Sequence, residues 1–352
     1  MEAMTSFESD YNNGTHPEVL RHLLETNNKQ SQSYGYDEWS ESARMKIREA
    51  CQCPDAGIYF LAGGTQANAT VIDALLPSYG AVVAVDTAHI NVHESGAVEA
   101  SGHKVIVLPS HEGRMMPTEL ANYLNSFHAD PTWPHMAFPG MVYITFPTEL
   151  GTLYHAYEIE QIYSICQQYH IPLFIDGARL GYGLASEDCD FDLPWMARHC
   201  DAFYIGGTKV GLLCGEAVVF PKGNAPKGFF TIVKRHGALL AKSRVAGVQF
   251  DAIFSNMLYL RIARHAIDMA LRMRRLFIEA GIPIKDSPTN QQFVILTTAQ
   301  MQHLQKAVAF ETWEPIDNDH TLCRFVTSWA TTEADIQQLG NVLNTMNQEN
   351  EP

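Results

Sequence analysis

Phe174-Ile175-Asp176-Gly177-Ala178-Arg179 is followed further along the chain by Tyr204-Ile205-Gly206-Gly207-Thr208-Lys209. Each stretch is an apolar run that reads as a buried strand and ends in glycine and polar residues. A carboxylate, a guanidinium and an amine are therefore delivered to the carboxyl ends of strands, the edge at which open α/β sheets bind ligands. A carboxylate able to hold a pyridinium nitrogen, beside a lysine able to form a Schiff base, is the pairing that pyridoxal phosphate chemistry requires.

Outward from these stretches the same alternation continues. Apolar and β-branched runs predict strands over residues 57–61, 82–85, 104–108, 141–146, 172–175, 202–205 and 217–220, with helical periodicity in most gaps, as over 65–76 and 155–169. Strands alternating with helices imply an α/β fold with a largely parallel, helix-covered sheet. From about residue 250 the pattern changes to a long helical stretch, 252–280, which turns at Gly281-Ile282-Pro283. Strand-like segments 292–297 and 321–329 follow, giving a smaller α+β domain. The expected organisation is an N-terminal arm contributing to the site (1–20), a large cofactor-binding domain (21–250) and a small C-terminal domain (251–352).

The 352 residues suffice for a full core, and 46% hydrophobic with 18% charged residues is globular composition. A formal net charge of −15 and the lack of any lysine/arginine cluster argue against nucleic acid and anionic membranes as partners. No apolar run reaches membrane-spanning length, and Met1-Glu2-Ala3-Met4-Thr5-Ser6 lacks a basic region followed by an apolar core, so a cytoplasmic protein is expected. Seven cysteines, an odd number without repeated spacing, read as reduced thiols. Cys51-Gln52-Cys53 offers too few ligands for zinc.

Gly63-Gly64-Thr65-Gln66-Ala67-Asn68 follows the first predicted strand of the sheet and opens a helix, so free backbone N–H groups and the Thr65 hydroxyl can face an anion. The glycine spacing is neither that of the dinucleotide fingerprint nor that of the lysine-bearing phosphate loop. Asp176 ends an apolar run, where an unpaired carboxylate is costly, so a cationic partner is expected. A protonated pyridine nitrogen can supply it, and a structural salt bridge to Arg179 is the rival reading. Arg179 has a planar fork suited to a substrate carboxylate. An apolar, glycine-lined pocket around Lys209 makes its amine nucleophilic. His89, after the strand at 82–85, is placed to stack on a cofactor ring. His89, His93 and Glu94 also suggest a metal, a weaker reading because no third ligand follows at a recognisable spacing, so no metal is expected.

Taken in order, the motifs resemble those of the threonine aldolase and β-eliminating lyase family, pyridoxal phosphate enzymes of the aspartate aminotransferase fold type (fold type I). The resemblance runs from Phe7 to about Trp329 through Ser9-Asp10, Tyr34-Gly35-Tyr36-Asp37, Gly64-Thr65-Gln66-Ala67-Asn68, Ala88-His89-Ile90, Glu94-Ser95-Gly96-Ala97, Asp176-Gly177-Ala178-Arg179, Thr208-Lys209, Lys242-Ser243-Arg244 with Gln249, and Arg324. It implies that Lys209 carries the cofactor, Asp176 pairs with the pyridine nitrogen and His89 stacks on the ring. Gly64 and Thr65 would hold the phosphate, with Gln66, Arg179 and Thr208 also in the cofactor-binding set. Ser9, Arg179 and Arg324 would bind the amino-acid carboxylate. Tyr34 and Lys242 would reach a neighbouring subunit's cofactor in a homodimer or homotetramer.

The chain departs from the family pattern in one loop. Many threonine aldolases have Thr-His-Asn-Gly where this chain has Thr148-Glu149-Leu150-Gly151, and His93 stands where an aromatic residue is frequent. Glu149 and His93 are therefore candidates for proton transfer, with Glu149 as an exposed loop residue or an orienter of His89 as the alternatives. The expected activity is cleavage of L-threonine or a related β-hydroxy-α-amino acid to glycine and an aldehyde. β-Elimination by the same cofactor and a non-catalytic cofactor-binding protein are the rivals.

Overall fold

The computed structural model describes residues 4–349. In chain order the strands are β1 (Thr5–Ser6), β2 (Gly57–Leu61), β3 (Gly80–Val85), β4 (Lys104–Leu108), β5 (Phe138–Thr145), β6 (Leu173–Asp176) and β7 (Ala202–Gly206). They continue as β8 (Glu216–Phe220), β9 (Ile284–Lys285), β10 (Gln291–Thr297), β11 (Val308–Ala309), β12 (Glu311–Pro315) and β13 (His320–Val326).

Seven strands form the main sheet in the order β2-β8-β7-β6-β5-β3-β4. Only β8 runs against its neighbours, pairing antiparallel with β2 and β7, while β7, β6, β5, β3 and β4 pair parallel. β3 and β6 are buried at every position, as strands covered by helices on both faces must be. A parallel sheet gathers its strand ends on one edge, and reversal of β8 brings the first residue of that strand, Glu216, to the same edge. Gly177 lies where the turns after β6 and β7 approach, and a Cβ there would run into the Tyr204 carbonyl oxygen.

A second sheet, β12-β13-β10-β9, is antiparallel throughout. The α/β large unit with a smaller α+β C-terminal unit is thus the architecture expected from the residue pattern. The apolar interior falls into two clusters, one around the main sheet and one including Phe7, Met273, Phe277, Val294 and Phe325. Helix Leu258–Glu279 supplies Ile262 and Ala266 to the first and Met269, Met273 and Phe277 to the second. Parallel pairing of β1 with β11, and the Val326 N–H donated to the Phe7 carbonyl at 2.8 Å, tie the N-terminal segment to the second sheet.

The helical stretch expected over 252–280 is broken. Helix Arg244–Ile253 stops and helix Leu258–Glu279 begins after a bend in which Asn256 and Met257 have φ of 51° and 55°. Left-handed residues cannot continue a right-handed helix, yet the apolar periodicity runs through them. The strand expected to reach Trp329 ends at Val326, beyond which the Thr327 N–H is donated to Asn290 O and the chain turns. Among the described residues, no helix is long and apolar enough to cross a membrane.

Candidate active site

The ends of β2, β3, β5, β6 and β7 and the start of β8 surround one cavity of about 270 Å³. Gly64, Thr65, His89, Glu149, Asp176, Arg179, Thr208 and Lys209 all line it, so the structure brings together most of the site residues expected from the sequence. A second cavity of about 250 Å³ shares Tyr11, His89, Glu149, Arg179 and Lys209 with the first and extends to His93, Glu311, Trp313 and Arg324.

At the start of helix Gly64–Leu75 the capping position is Gly63, which has no side chain to satisfy the first N–H groups. Those donors face the cavity and favour an anion. Gln66 is turned otherwise. Its amide accepts the Ala62 N–H at 3.3 Å and donates to His236 O at 3.4 Å.

Asp176 ends β6 and is buried. Its Oδ1 accepts from the Ala178 N–H at 2.9 Å and from the Tyr204 hydroxyl, and its Oδ2 from Asn68 Nδ2 at 2.9 Å and the Tyr143 hydroxyl at 2.6 Å. These four donors fix the carboxylate and satisfy its burial. The alternative of an Asp176–Arg179 salt bridge is overturned: Arg179 donates from Nε to Asp10 Oδ2 at 2.7 Å and from Nη2 to Asp10 Oδ1 at 3.0 Å. Asn290 adds a third bond to Asp10, at 2.9 Å. Burial pushes the Asp10 carboxyl up, but the charges of Arg179 and Lys209 outweigh it and hold the group below the usual carboxylate range.

Lys209 projects into the cavity with its amine 5.9 Å from the Tyr11 ring centre, and among the described residues that amine makes no hydrogen bond or ion pair. Burial, and then the Arg179 charge, bring its pKa down to about 8 against the opposing pull of Asp10, Asp176 and Glu216. Thr208 donates to Glu216 Oε1 at 2.8 Å.

Glu149 is buried, which removes the reading of an exposed loop residue. Its Oε1 accepts the His89 backbone N–H at 2.9 Å and the Thr145 hydroxyl at 2.7 Å, while Oε2 is buried without a partner. Burial raises its pKa, partly offset by the Thr145 bond. The His89 ring is oriented from behind, with Nδ1 2.8 Å from Glu94 Oε1. Glu94 Oε1 also accepts from Asn68 Nδ2 at 2.8 Å. The His93 ring packs edgewise on Trp313, and its pKa is lowered by burial and by His89. Among the described residues, no group of three His, Cys, Asp or Glu side chains is arranged to hold a metal.

Arg324 donates from Nη1 to Gln291 Oε1 at 2.9 Å and from Nη2 to Glu311 Oε2, with its guanidinium 4.6 Å from the Trp313 ring centre. Its Nε is buried and unpartnered. Ser9 lies apart, bonded to Asn12 Oδ1 at 2.7 Å, and lines neither cavity. Tyr34 and Lys242 also lie outside both cavities, but close to one another in the fold, since the Tyr34 N–H is donated to Ala241 O at 3.1 Å. The sequence reading gave no role to Asp10 or Asn68, weighed Glu94 only as a metal ligand, and did not single out Tyr143, Tyr204 or Glu216. A tyrosine in an otherwise apolar buried strand, as at 143 and 204, is the usable signal, because its hydroxyl needs a partner.

This arrangement coincides with a known family. The profile of the beta-eliminating lyase family matches residues 7–318. The chain belongs to that family. Within it, the low-specificity L-threonine aldolase of a Pseudomonas species is 28% identical over 342 residues, 95% of each chain, and that of Pseudomonas aeruginosa is 30% identical over 263 residues, 74% of each. The threonine aldolase structure from Leishmania major superposes with a TM-score of 0.93 at 34% identity, covering 97% of this chain and 99% of that one. An aspartate aminotransferase from Thermus thermophilus shares the fold, with a TM-score of 0.68 at 14% identity.

Proposed function

We propose that the protein is a pyridoxal phosphate-dependent carbon–carbon lyase that cleaves L-threonine or a related β-hydroxy-α-amino acid to glycine and an aldehyde. The observation that carries this reading is the convergence on one cavity of a free amine at Lys209, a fully braced carboxylate at Asp176 and an uncapped helix N-terminus at Gly64. That donor set fits the cofactor. The Gly64 end suits its phosphate, Asp176 its ring nitrogen and Lys209 its aldehyde carbon, and a Cβ at Gly64 would come within 3.2 Å of the Tyr204 hydroxyl oxygen. When bound, the cofactor supplies an electron sink for the pair left on Cα as the Cα–Cβ bond breaks.

The chain's own groups do the rest. Asp10 takes the Nε–Nη2 edge of Arg179, which leaves Nη1 for a substrate carboxylate, and Arg324 offers its unpartnered Nε to the same group. Glu94 fixes the plane of the His89 ring against the cavity. Glu149 is held by one oxygen, and the other is free to take the proton from the β-hydroxyl as the bond breaks and to return it. Burial raises its pKa, which makes it a stronger base toward that proton than an exposed carboxylate. His93 faces the part of the cavity left for the substrate side chain.

The same reading makes the protein a cytoplasmic homo-oligomer, a homodimer or homotetramer, in which Tyr34 and Lys242 complete a neighbour's cavity. Their joint position away from Lys209 in their own chain supports it. The test is incubation of the purified protein with threonine, allo-threonine and phenylserine. Glycine and the matching aldehyde are expected; a keto acid and ammonia from threonine would assign β-elimination, and no product from any of them would leave cofactor binding alone.

A further inference from the structure

Glu216 is a buried ionisable group in the cavity wall that no step above uses. It opens β8, and Lys209 lies just beyond β7, so the two stand at opposite ends of the loop that joins these strands. At the neck of that loop, Glu216 Oε2 accepts the Gly207 N–H at 2.9 Å and Oε1 accepts the Thr208 hydroxyl at 2.8 Å. Thr208 Oγ1 in turn accepts the Gly215 N–H at 3.1 Å, and the Gly207 N–H also approaches Gly215 O at 3.1 Å. A threonine–glutamate clasp therefore closes the loop immediately before the lysine.

A neutral side chain could make such a clasp, so the carboxyl requires its own explanation. Burying an ionisable group without a cation is costly. The other acids near Lys209 have their charge answered: Asp176 by four donors, and Asp10 by Arg179 and Asn290. Each Glu216 oxygen has one neutral donor, and Lys209 is the cation that faces it. The groups around Lys209 are Arg179 after β6, Asp10 from the N-terminal segment, Asp176 on β6, Glu216 on β8 and His93 beyond β3. Glu216 is itself faced by Asp176 and by the hydroxyls of Tyr204 and Tyr259.

We propose that Glu216 is a positioning residue for Lys209, clasping the loop neck and, as it ionises, setting beside the lysine a negative charge that delays release of the free amine. Burial raises the Glu216 pKa to about 8, so its charge appears over the same pH range in which Lys209 loses its proton. The inference rests on Lys209 as the attachment point of the cofactor.

The experiment is a pH titration of the rate at which an aldehyde reagent modifies Lys209 in protein stripped of cofactor, with borohydride reduction and peptide mapping of the loaded enzyme to locate the attached lysine. Glu216→Gln keeps the reach and both clasp bonds, because its amide can accept from Gly207 and donate to Thr208, but it cannot ionise. Its titration midpoint is expected to fall by about one pH unit, in line with loss of a nearby opposite charge. Thr208→Val loosens the clasp without removing the charge, and its midpoint is expected to stay near that of the wild type while cofactor is released faster. A Glu216→Gln midpoint equal to the wild type, with the cofactor on Lys209, overturns this inference alone; attachment to another lysine overturns the cofactor assignment and this inference with it. If Glu216→Gln does not fold, the carboxyl carbon signal of Glu216 in ¹³C-labelled wild-type protein decides: a change of protonation between neutral and alkaline pH is expected, and an invariant signal overturns the proposal.

Discussion

Asp10 and Arg179, far apart in sequence, are joined by a two-point bond of 2.7 and 3.0 Å. The N-terminal segment thus fixes a guanidinium that β6 delivers. Replacing Asp10 by Asn leaves the Arg179 charge buried without its counter-ion, a loss of about 3–5 kcal/mol for broken buried pairs. Denaturant unfolding of Asp10→Asn should show that loss, and KM for threonine should rise because Arg179 is no longer held in place.

Glu149→Gln keeps the bonds to Thr145 and His89 in reach but removes the group that accepts a proton. Turnover on threonine should fall by roughly 10²–10⁴, the usual cost of losing a general base, with the cofactor spectrum unchanged. Wild-type turnover would exclude Glu149 as the base and direct attention to His93.

Lys209 should behave as an unusually acidic ammonium. An amine is free above its pKa, so lowering that value to about 8 makes Lys209 reactive where ordinary lysines remain protonated. In protein stripped of cofactor, its rate of modification by an aldehyde reagent should climb through neutral pH and level off above about 8. The unfolded lysine keeps its proton up to about 10.4. Between these two values the unfolded chain binds the extra proton, so this group makes the fold more stable as pH rises.

Glu311 pairs with Arg324, the guanidinium proposed above to hold the substrate carboxylate. It therefore competes with substrate for that group. Glu311→Gln should lower KM for threonine with little change in kcat, and a raised KM would show that the pair holds Arg324 in its working position instead.

Lys209→Ala and Lys242→Ala should each be inactive alone and should recover part of the activity when mixed under conditions of subunit exchange, because one intact cavity can then form from two chains. Sedimentation of a fully active monomer would rule this out.

The central sheet was legible because its strands are short apolar runs whose ends carry the functional groups: Asp176, Lys209 and the Gly64 turn each lie directly after such a run. What escaped was set by contacts between distant segments. Asp10 reaches Arg179 only because β1 is pinned beside β11, and no local pattern encodes that pairing. The break at Asn256 and Met257 interrupts a helix without interrupting its apolar period, so periodicity could not reveal it. Glu216 opens a strand otherwise composed of apolar residues, and its orientation toward Lys209 follows from the reversal of β8, which depends on tertiary pairing.

Strand β2, which leads into the Gly64 turn, sits at the sheet edge, where its pairing partner is β8, from Gly57 opposite Phe220 to Leu61 opposite Glu216. During synthesis the chain makes this strand long before the one that anchors it. The turn at Gly64 therefore cannot dock against the sheet until the polypeptide past Phe220 has left the ribosome, and the cavity it lines is completed only with the closing of the last strand pair.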